Sequence, residues 1–355
     1  MKKRQVIGIL IFFLIFLVML IPVSYVLRPE DGDTKATFSG FYAEKNNTLD
    51  MMFYGSSAAY RYISSPQIWH ESGLTSYVLG SPSQPFSTVQ ALITETEKSQ
   101  SPKLYVVEIR SLITTDYNLK HNLSDGTETS HLRAVTDNLL YSSNRVNLIN
   151  DSVDGSKNDW YFDIIYNHSN WKSLTLGSLS QLFYHKKSDV KGAYTADMWQ
   201  SEKKFDTTPY AGEKTALEDS TEQTLLDFLD FCKTQDLNVL FVSTPYIEDK
   251  FSITEENYIA DLIKNYGFSY LNCNYDYQDI GLNFRTDFYN DKHTNVLGAI
   301  KVTDYLLKYI QDHYDITSTH TDKTIADWDK AYETWSEQAK AQEKAVKAEI
   351  KGNKS

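Results

Sequence analysis

Five short apolar runs alternate along this chain with segments of helical periodicity, and that alternation limits the fold more than any other feature. The runs lie at 49–54, 75–80, 103–109, 237–242 and 268–271, each short enough for a strand and bounded by glycine or polar residues. Between them, Phe86, Val89, Leu92, Ile93 and Thr96 fall on one helical face, as do Leu225, Phe228, Leu229 and Cys232. A further helix buries Tyr258, Ile259, Leu262, Ile263 and Tyr266, with Thr254 as its cap and Gly267 at its end. The last of the series uses Val296, Ile300, Leu307 and Ile310, and a shorter helix is expected from Ser65-Pro66 to about Ser72, closed by Gly73. Strands that alternate with one-faced helices build a parallel sheet covered on both sides. The run 103–109 is continuous enough to be buried on both faces.

In a sheet of this kind, reactive groups gather beyond the carboxyl ends of the strands. The stretch Met51-Met52-Phe53-Tyr54-Gly55-Ser56-Ser57-Ala58 carries an apolar run into glycine and two serines. Gly55 permits a sharp bend, and the small hydroxyl residues after it suit a helix start, where free N–H groups can hold developing negative charge. Ser57 is thus a candidate nucleophile with part of an oxyanion site built in. Its candidate base is His293, far downstream in Asp291-Lys292-His293, just before a helix. Ser57, Gly80, Arg110, Tyr246 and His293 all follow predicted strands or their loops and are expected at one edge.

Lys2, Lys3 and Arg4 precede an uncharged run from Val6 to about Leu27. About 20 such residues at roughly 1.5 Å each cross a bilayer core. The basic start places the N-terminus in the cytoplasm and the rest of the chain outside. Pro22-Val23-Ser24-Tyr25 is a poor cleavage site, so an uncleaved anchor is expected rather than a signal peptide. Beyond Arg28 stand 31 basic against 47 acidic side chains, a field that repels nucleic acid. An anionic ligand would therefore need a local basic site. The only cysteines, Cys232 and Cys273, read as small buried residues, and two cysteines without histidine spacing build no zinc framework.

The expected organisation is a cytoplasmic tip and transmembrane anchor over 1–28, a polar stem over 29–47, and an α/β domain over 48–315. An insertion of helices and loops occupies about 111–215, and 316–355 forms a charged helix or tail that frays. The insertion is rich in aromatics, among them Tyr117, Trp160, Trp171, Phe183 and Tyr184, which read as satellite-core packing more than as sugar-stacking surfaces. His70, His121, His131, His168 and His185 show no ligand spacing and are expected at the surface.

On these residues the chain resembles the SGNH (GDSL-like) hydrolase superfamily, particularly its membrane-anchored, DltD-like and alginate O-acetylation-like extracytoplasmic branch. Tyr54-Gly55-Ser56-Ser57 stands in the place of Gly-Asp-Ser, Tyr77-Val78-Leu79-Gly80-Ser81 forms the second block, and residues 287–295 with Gly298-Ala299 form the last. The resemblance implies a flavodoxin-like (SGNH-type) three-layer α/β/α fold. It implies Ser57 as nucleophile, His293 as base, and the N–H groups of Ser57 and Gly80 as oxyanion hole. The acidic residue usual three before the histidine is Asn290 here, so Asp291 is the expected orienter, with Asp287 and Asn290 as the alternatives. The third block, Gly-x-Asn-Asp, is absent. Gln84 and Arg110 are candidates for its oxyanion contact, and Asn295 is a further candidate substrate contact.

The expected activity is that of a serine esterase or O-acyltransferase working through a Ser57 acyl-enzyme. Its substrates would be acyl, chiefly acetyl, esters of a cell-surface polysaccharide or teichoic-acid-like polymer. No cofactor or metal is implied; the membrane, the glycopolymer and an integral-membrane acyltransferase are the expected partners. An inactive scaffold for such an acyltransferase and an aromatic-lined wall-polymer binding module are the alternatives.

Overall fold

The computed structural model describes residues 3–29, 32–116, 127–183, 185–247 and 249–353. Glu30 and Asp31 of the expected stem, together with Tyr117, His121 and Tyr184, lie outside the described residues. Helix α1 (Lys3–Leu27) is followed by α2 (Asp33–Tyr42), β1 (Met51–Gly55), α3 (Ser57–Tyr60), α4 (Ser65–Ser72), β2 (Ser76–Gly80), α5 (Val89–Thr96) and β3 (Leu104–Glu108). The insertion contributes α6 (Thr127–Thr136), α7 (Ser143–Ser152), α8 (Asn158–Tyr161), α9 (Ile164–Asn167) and α10 (Leu176–Ser180). Then come α11 (Asp219–Thr234), β4 (Val239–Ser243), α12 (Lys250–Asn265), β5 (Ser269–Asn272), the short strands β6 (Phe288–Asn290) and β7 (His293–Thr294), α13 (Val296–His313) and α14 (Asp322–Gly352).

The five long strands form one parallel sheet in the order β2-β1-β3-β4-β5. All five fall within two residues of the runs that the sequence marks; β1 to β4 are buried along their whole length, whereas β5 at the sheet edge is partly exposed. Alternation along β1 sends Met52 and Tyr54 to one face with Phe38, Phe41, Leu92, Leu225 and Ile259. Met51 and Phe53 go to the other, with Ile68, Val302, Leu306 and Ile310. Helices α2, α5, α11 and α12 therefore cover one side, and α3, α4 and α13 the other. Cys232 and Cys273 are both buried free thiols.

Helix α1 spans 25 residues, Lys3–Leu27, and its most apolar 18-residue stretch has mean hydropathy 3.3, compatible with a single-pass membrane anchor. Its last turn is not free of the domain. Arg28 is buried and ion-pairs with buried Asp163 at 2.6 Å, and it lies over the Tyr25 ring.

Three expectations change. The polar stem is interrupted by α2, whose Phe38 and Phe41 are buried on the sheet and whose Thr37 carbonyl accepts from the Tyr77 hydroxyl at 2.7 Å. The polar residues around them mask an apolar pair three apart, the spacing of one helical face. The C-terminal segment does not fray: α14 packs on α4 and α13, burying Trp328 and Trp335, with Trp69 Nε1 donating to Asp329 at 2.9 Å. Helix α12 begins four residues before Thr254, because Asp249 caps it by accepting from Ser252 N at 2.9 Å. In the insertion, Trp160 is buried with Leu132 and Ile149, whereas Trp171 is exposed.

Candidate functional site

Two glycines let β1 and β2 close at the carboxyl edge of the sheet. Gly55 and Gly80 are register partners. A Cβ on Gly80 would fall on the Gly55 carbonyl oxygen, and one on Gly55 would lie 2.8 Å from Glu108 Cβ with φ at +155°. Only glycine fits either place. The chain turns there through Ser56, whose Oγ accepts from Ala58 N at 3.3 Å, and Ser57 becomes the first residue of α3.

His293 arrives from the opposite end of the chain on a hairpin that sequence reading leaves as a loop. Strands β6 and β7 pair antiparallel, with Asn290 opposite His293 and only Asp291 and Lys292 in the turn. Hydrogen bonds fix this hairpin to the sheet edge. The Tyr62 hydroxyl donates to the Lys292 carbonyl at 2.7 Å, and Ile247 N donates to the Asp291 carbonyl at 2.7 Å. Thr244 Oγ1 in turn holds the Ala58 carbonyl of α3 at 2.8 Å.

The result is a direct contact, with His293 Nε2 2.7 Å from Ser57 Oγ. On the far side of the ring, Nδ1 lies 3.1 Å from Asn290 Oδ1. A carboxamide oxygen only accepts, so this contact favours the tautomer with the proton on Nδ1 and leaves Nε2 free to accept from the serine. Tyr289 stacks on the imidazole with centroids 5.4 Å apart. Burial, followed by the nearby charges of Arg110, Arg61 and Lys292, pushes the His293 pKa down to about 3.

Asp291, the expected orienter, is corrected by this geometry. It occupies the turn, is exposed, and its carboxylate makes no hydrogen bond to His293. In a two-residue turn the residues that face each other are the flanking ones, here Asn290 and His293. Asp287 does not serve either. Its buried carboxylate accepts from Asn283 N, Thr286 Oγ1 and Lys301 Nζ at 2.8, 2.8 and 2.7 Å. Asn295 is fully buried, caps α13 through Leu297 N and donates to the Thr286 and Phe288 carbonyls.

Ser57 and His293 open on a cleft of about 460 Å³ that Arg110, Ser83, His131, Tyr246 and Lys292 also line. Gly80 and Gln84 are buried beside it without lining it. Arg110 sits in the wall, its guanidinium 4.6 Å from the Tyr246 ring centroid and 5.7 Å from that of Tyr62. Behind it stands Glu108, whose carboxyl burial pushes up to about 7. Deeper still is Glu256, raised by burial and accepting from Ser243 Oγ and Asn272 Nδ2. Sequence reading missed His131 as a cleft residue, because it comes from the insertion and no local pattern ties it to the sheet edge. Glu108 was legible as the end of a strand but carried no sign of its neighbour Glu256, which α12 delivers.

No protein-family model matches the sequence, and no curated protein does.

Proposed function

We propose that this chain is a membrane-tethered SGNH-type serine esterase or O-acyltransferase, acting on acyl esters, chiefly acetyl, of a cell-surface polysaccharide or teichoic-acid-like polymer. The observation that carries the reading is the 2.7 Å contact between His293 Nε2 and Ser57 Oγ at the carboxyl edge of a parallel sheet. The strand order β2-β1-β3-β4-β5 supports the flavodoxin-like form of the fold. The apolar helix α1 and the basic residues before it support an anchor with the α/β domain outside the cytoplasm.

In this mechanism the Ser57 hydroxyl attacks the ester carbonyl carbon while its proton passes to His293 Nε2. The carbonyl oxygen takes up the displaced electron pair and is met by the N–H of Ser57 at the start of α3. Collapse breaks the ester C–O bond, and the imidazolium returns the proton to the leaving alcohol. A second hydroxyl, from water or an acceptor polymer, repeats the sequence on the acyl-enzyme. Tethering keeps the domain near a membrane-attached polymer or a membrane-delivered donor.

A second reading, an inactive scaffold beside an integral-membrane acyltransferase, is favoured by Asn290, since an amide does not stabilise imidazolium as a carboxylate does. Intact-mass analysis after exposure to a neutral fluorophosphonate separates the two. A single adduct, lost in Ser57→Ala and slowed in His293→Ala, supports the enzyme. Absence of any adduct on Ser57 supports the scaffold.

A further inference from the structure

The cleft contains a guanidinium with no carboxylate at ion-pair distance among the described residues. Arg110 is 7% exposed, forms no ion pair among the described residues, and its Nη1 has no hydrogen-bond partner. The carboxyls that face it come from β3 and α12. Glu108 accepts from the Arg110 backbone N–H at 3.3 Å, and Glu256 is engaged by Ser243 and Asn272; neither ion-pairs with the guanidinium. At the cleft mouth Asp249 and Asp291 are exposed and therefore solvent-screened. Arg61 and Lys292 add to the positive field at His293. Tyr62 hydrogen-bonds the guanidinium and Glu108 attracts it from a distance, which leaves Nη1 unsatisfied and its planar fork free for bidentate contact with a carboxylate.

We propose that Arg110 binds a carboxylate of the substrate beside Ser57, so that the acyl group or the acceptor is anionic. The proposal deepens the esterase reading and rests on it. A bound carboxylate cancels part of the field that weakens His293 as a base, and so supplies the negative charge that Asn290 does not. A cationic aminoacyl group is disfavoured by the same field.

The test compares hydrolysis of 4-nitrophenyl acetate and 4-nitrophenyl hemisuccinate by the full chain in detergent, with glucuronate as an inhibitor. The expected result is a kcat/KM preference of about tenfold or more for hemisuccinate. Alternatively, competitive inhibition by glucuronate places the carboxylate on the acceptor. The preference or inhibition should collapse in Arg110→Gln and recover partly in Arg110→Lys. Succinate should also raise the melting temperature of the native chain and not of Arg110→Gln. Fluorophosphonate labelling of Ser57 confirms that each variant is folded. Labelling with no preference, inhibition or stabilisation overturns the anion site and leaves the esterase reading standing; no labelling of the native chain removes the esterase reading itself.

A different surface supports a second inference. Ile165, Tyr166, Trp171, Leu174, Leu176, Leu179 and Phe183 are all exposed, Leu176 at 86% and Phe183 at 87%. The segment bearing them adjoins the end of α1. Asn170 Nδ2 donates to the Leu27 carbonyl at 3.0 Å, Gln181 Nε2 to the Arg28 carbonyl at 3.4 Å, and α9 and α10 both contact α1. Apolar and aromatic side chains with Lys172 beside the end of a bilayer-length helix have the composition of an interfacial belt. We infer that residues 165–183 form a collar seated in the bilayer interface around the end of α1.

Single cysteines at positions 16, 171, 176 and 308, labelled with an environment-sensitive dye in nanodiscs, test it; Cys232 and Cys273 are buried and stay unlabelled. Brominated lipid should quench positions 16, 171 and 176 and spare exposed position 308. Positions 171 and 176 behaving like 308, with 16 still quenched, overturn the collar and keep the anchor.

Discussion

The side-chain oxygen of Asn290 lies 3.1 Å from His293 Nδ1, on the side of the ring away from the 2.7 Å contact between Nε2 and Ser57 Oγ. The hairpin that pairs these two residues sends Asp291 to solvent. An amide therefore does the orienting without contributing charge. Asn290→Asp should raise the pH at which the imidazole titrates by about one to two units and raise turnover of a neutral ester by roughly tenfold. Asp291→Asn should leave both within about twofold, as would be read by imidazole NMR and by steady-state kinetics. A large loss in Asp291→Asn alone would return the orienting role to the turn.

His293 and Glu108 link pH to stability in opposite senses. The His293 pKa is held down at about 3, so below the ordinary value of 6.5 the unfolded chain takes up a proton that the folded site refuses. Its contribution is present above 6.5 and is lost as pH falls toward 3. Glu108 is pushed up from 4.5 to about 7, so its contribution is full below 4.5 and is lost as pH rises through 7, by on the order of 3 kcal/mol. Denaturant melts of Glu108→Gln should lose that alkaline decline, and kcat/KM should show no histidine limb near 6.5.

The glycine pair sets how closely β1 and β2 approach. Gly80→Ala drives a methyl onto the Gly55 carbonyl oxygen, and Gly55→Ala combines a 2.8 Å clash with a positive φ. Each should cost about 2–3 kcal/mol or more and lower Ser57 reactivity with it. Gly73→Ala, at φ +73° with open space around it, should cost only about 1 kcal/mol. Urea melts of the three variants give the comparison.

The C-terminal helix is part of the body. Trp328 is buried against Trp69, with Lys191 Nζ 4.7 Å from its ring centroid and Lys191 ion-paired to Glu44 at 2.7 Å. Trp328→Ala should cost about 3–5 kcal/mol in chemical denaturation. An unchanged midpoint would mean that α14 contributes no stability to the domain.

Strands β1 to β4 of the main sheet were readable in the chain because burial on both faces leaves apolar runs, a signal carried by neighbours in sequence. Ser57 and His293 were readable for a related reason, since each sits where a strand or loop gives way to a helix. The stem helix α2 and the docking of α14 were not, because two phenylalanines or two tryptophans in a polar segment become core only when a distant surface receives them. The choice of orienter among Asp291, Asp287 and Asn290 was not readable for the same cause. Asp291 is the more suitable chemical group, but side-chain direction in a two-residue turn is a property of strand pairing, and that pairing exists only after residues 288–294 dock on the sheet edge. Sequence alone thus determined the alternation of the sheet, the apolar run of α1 and the two side chains, Ser57 and His293, that meet at the sheet edge. Tertiary structure decided which side chain steadies the histidine and left one buried guanidinium facing the cleft, because both depend on contacts between segments far apart in the chain.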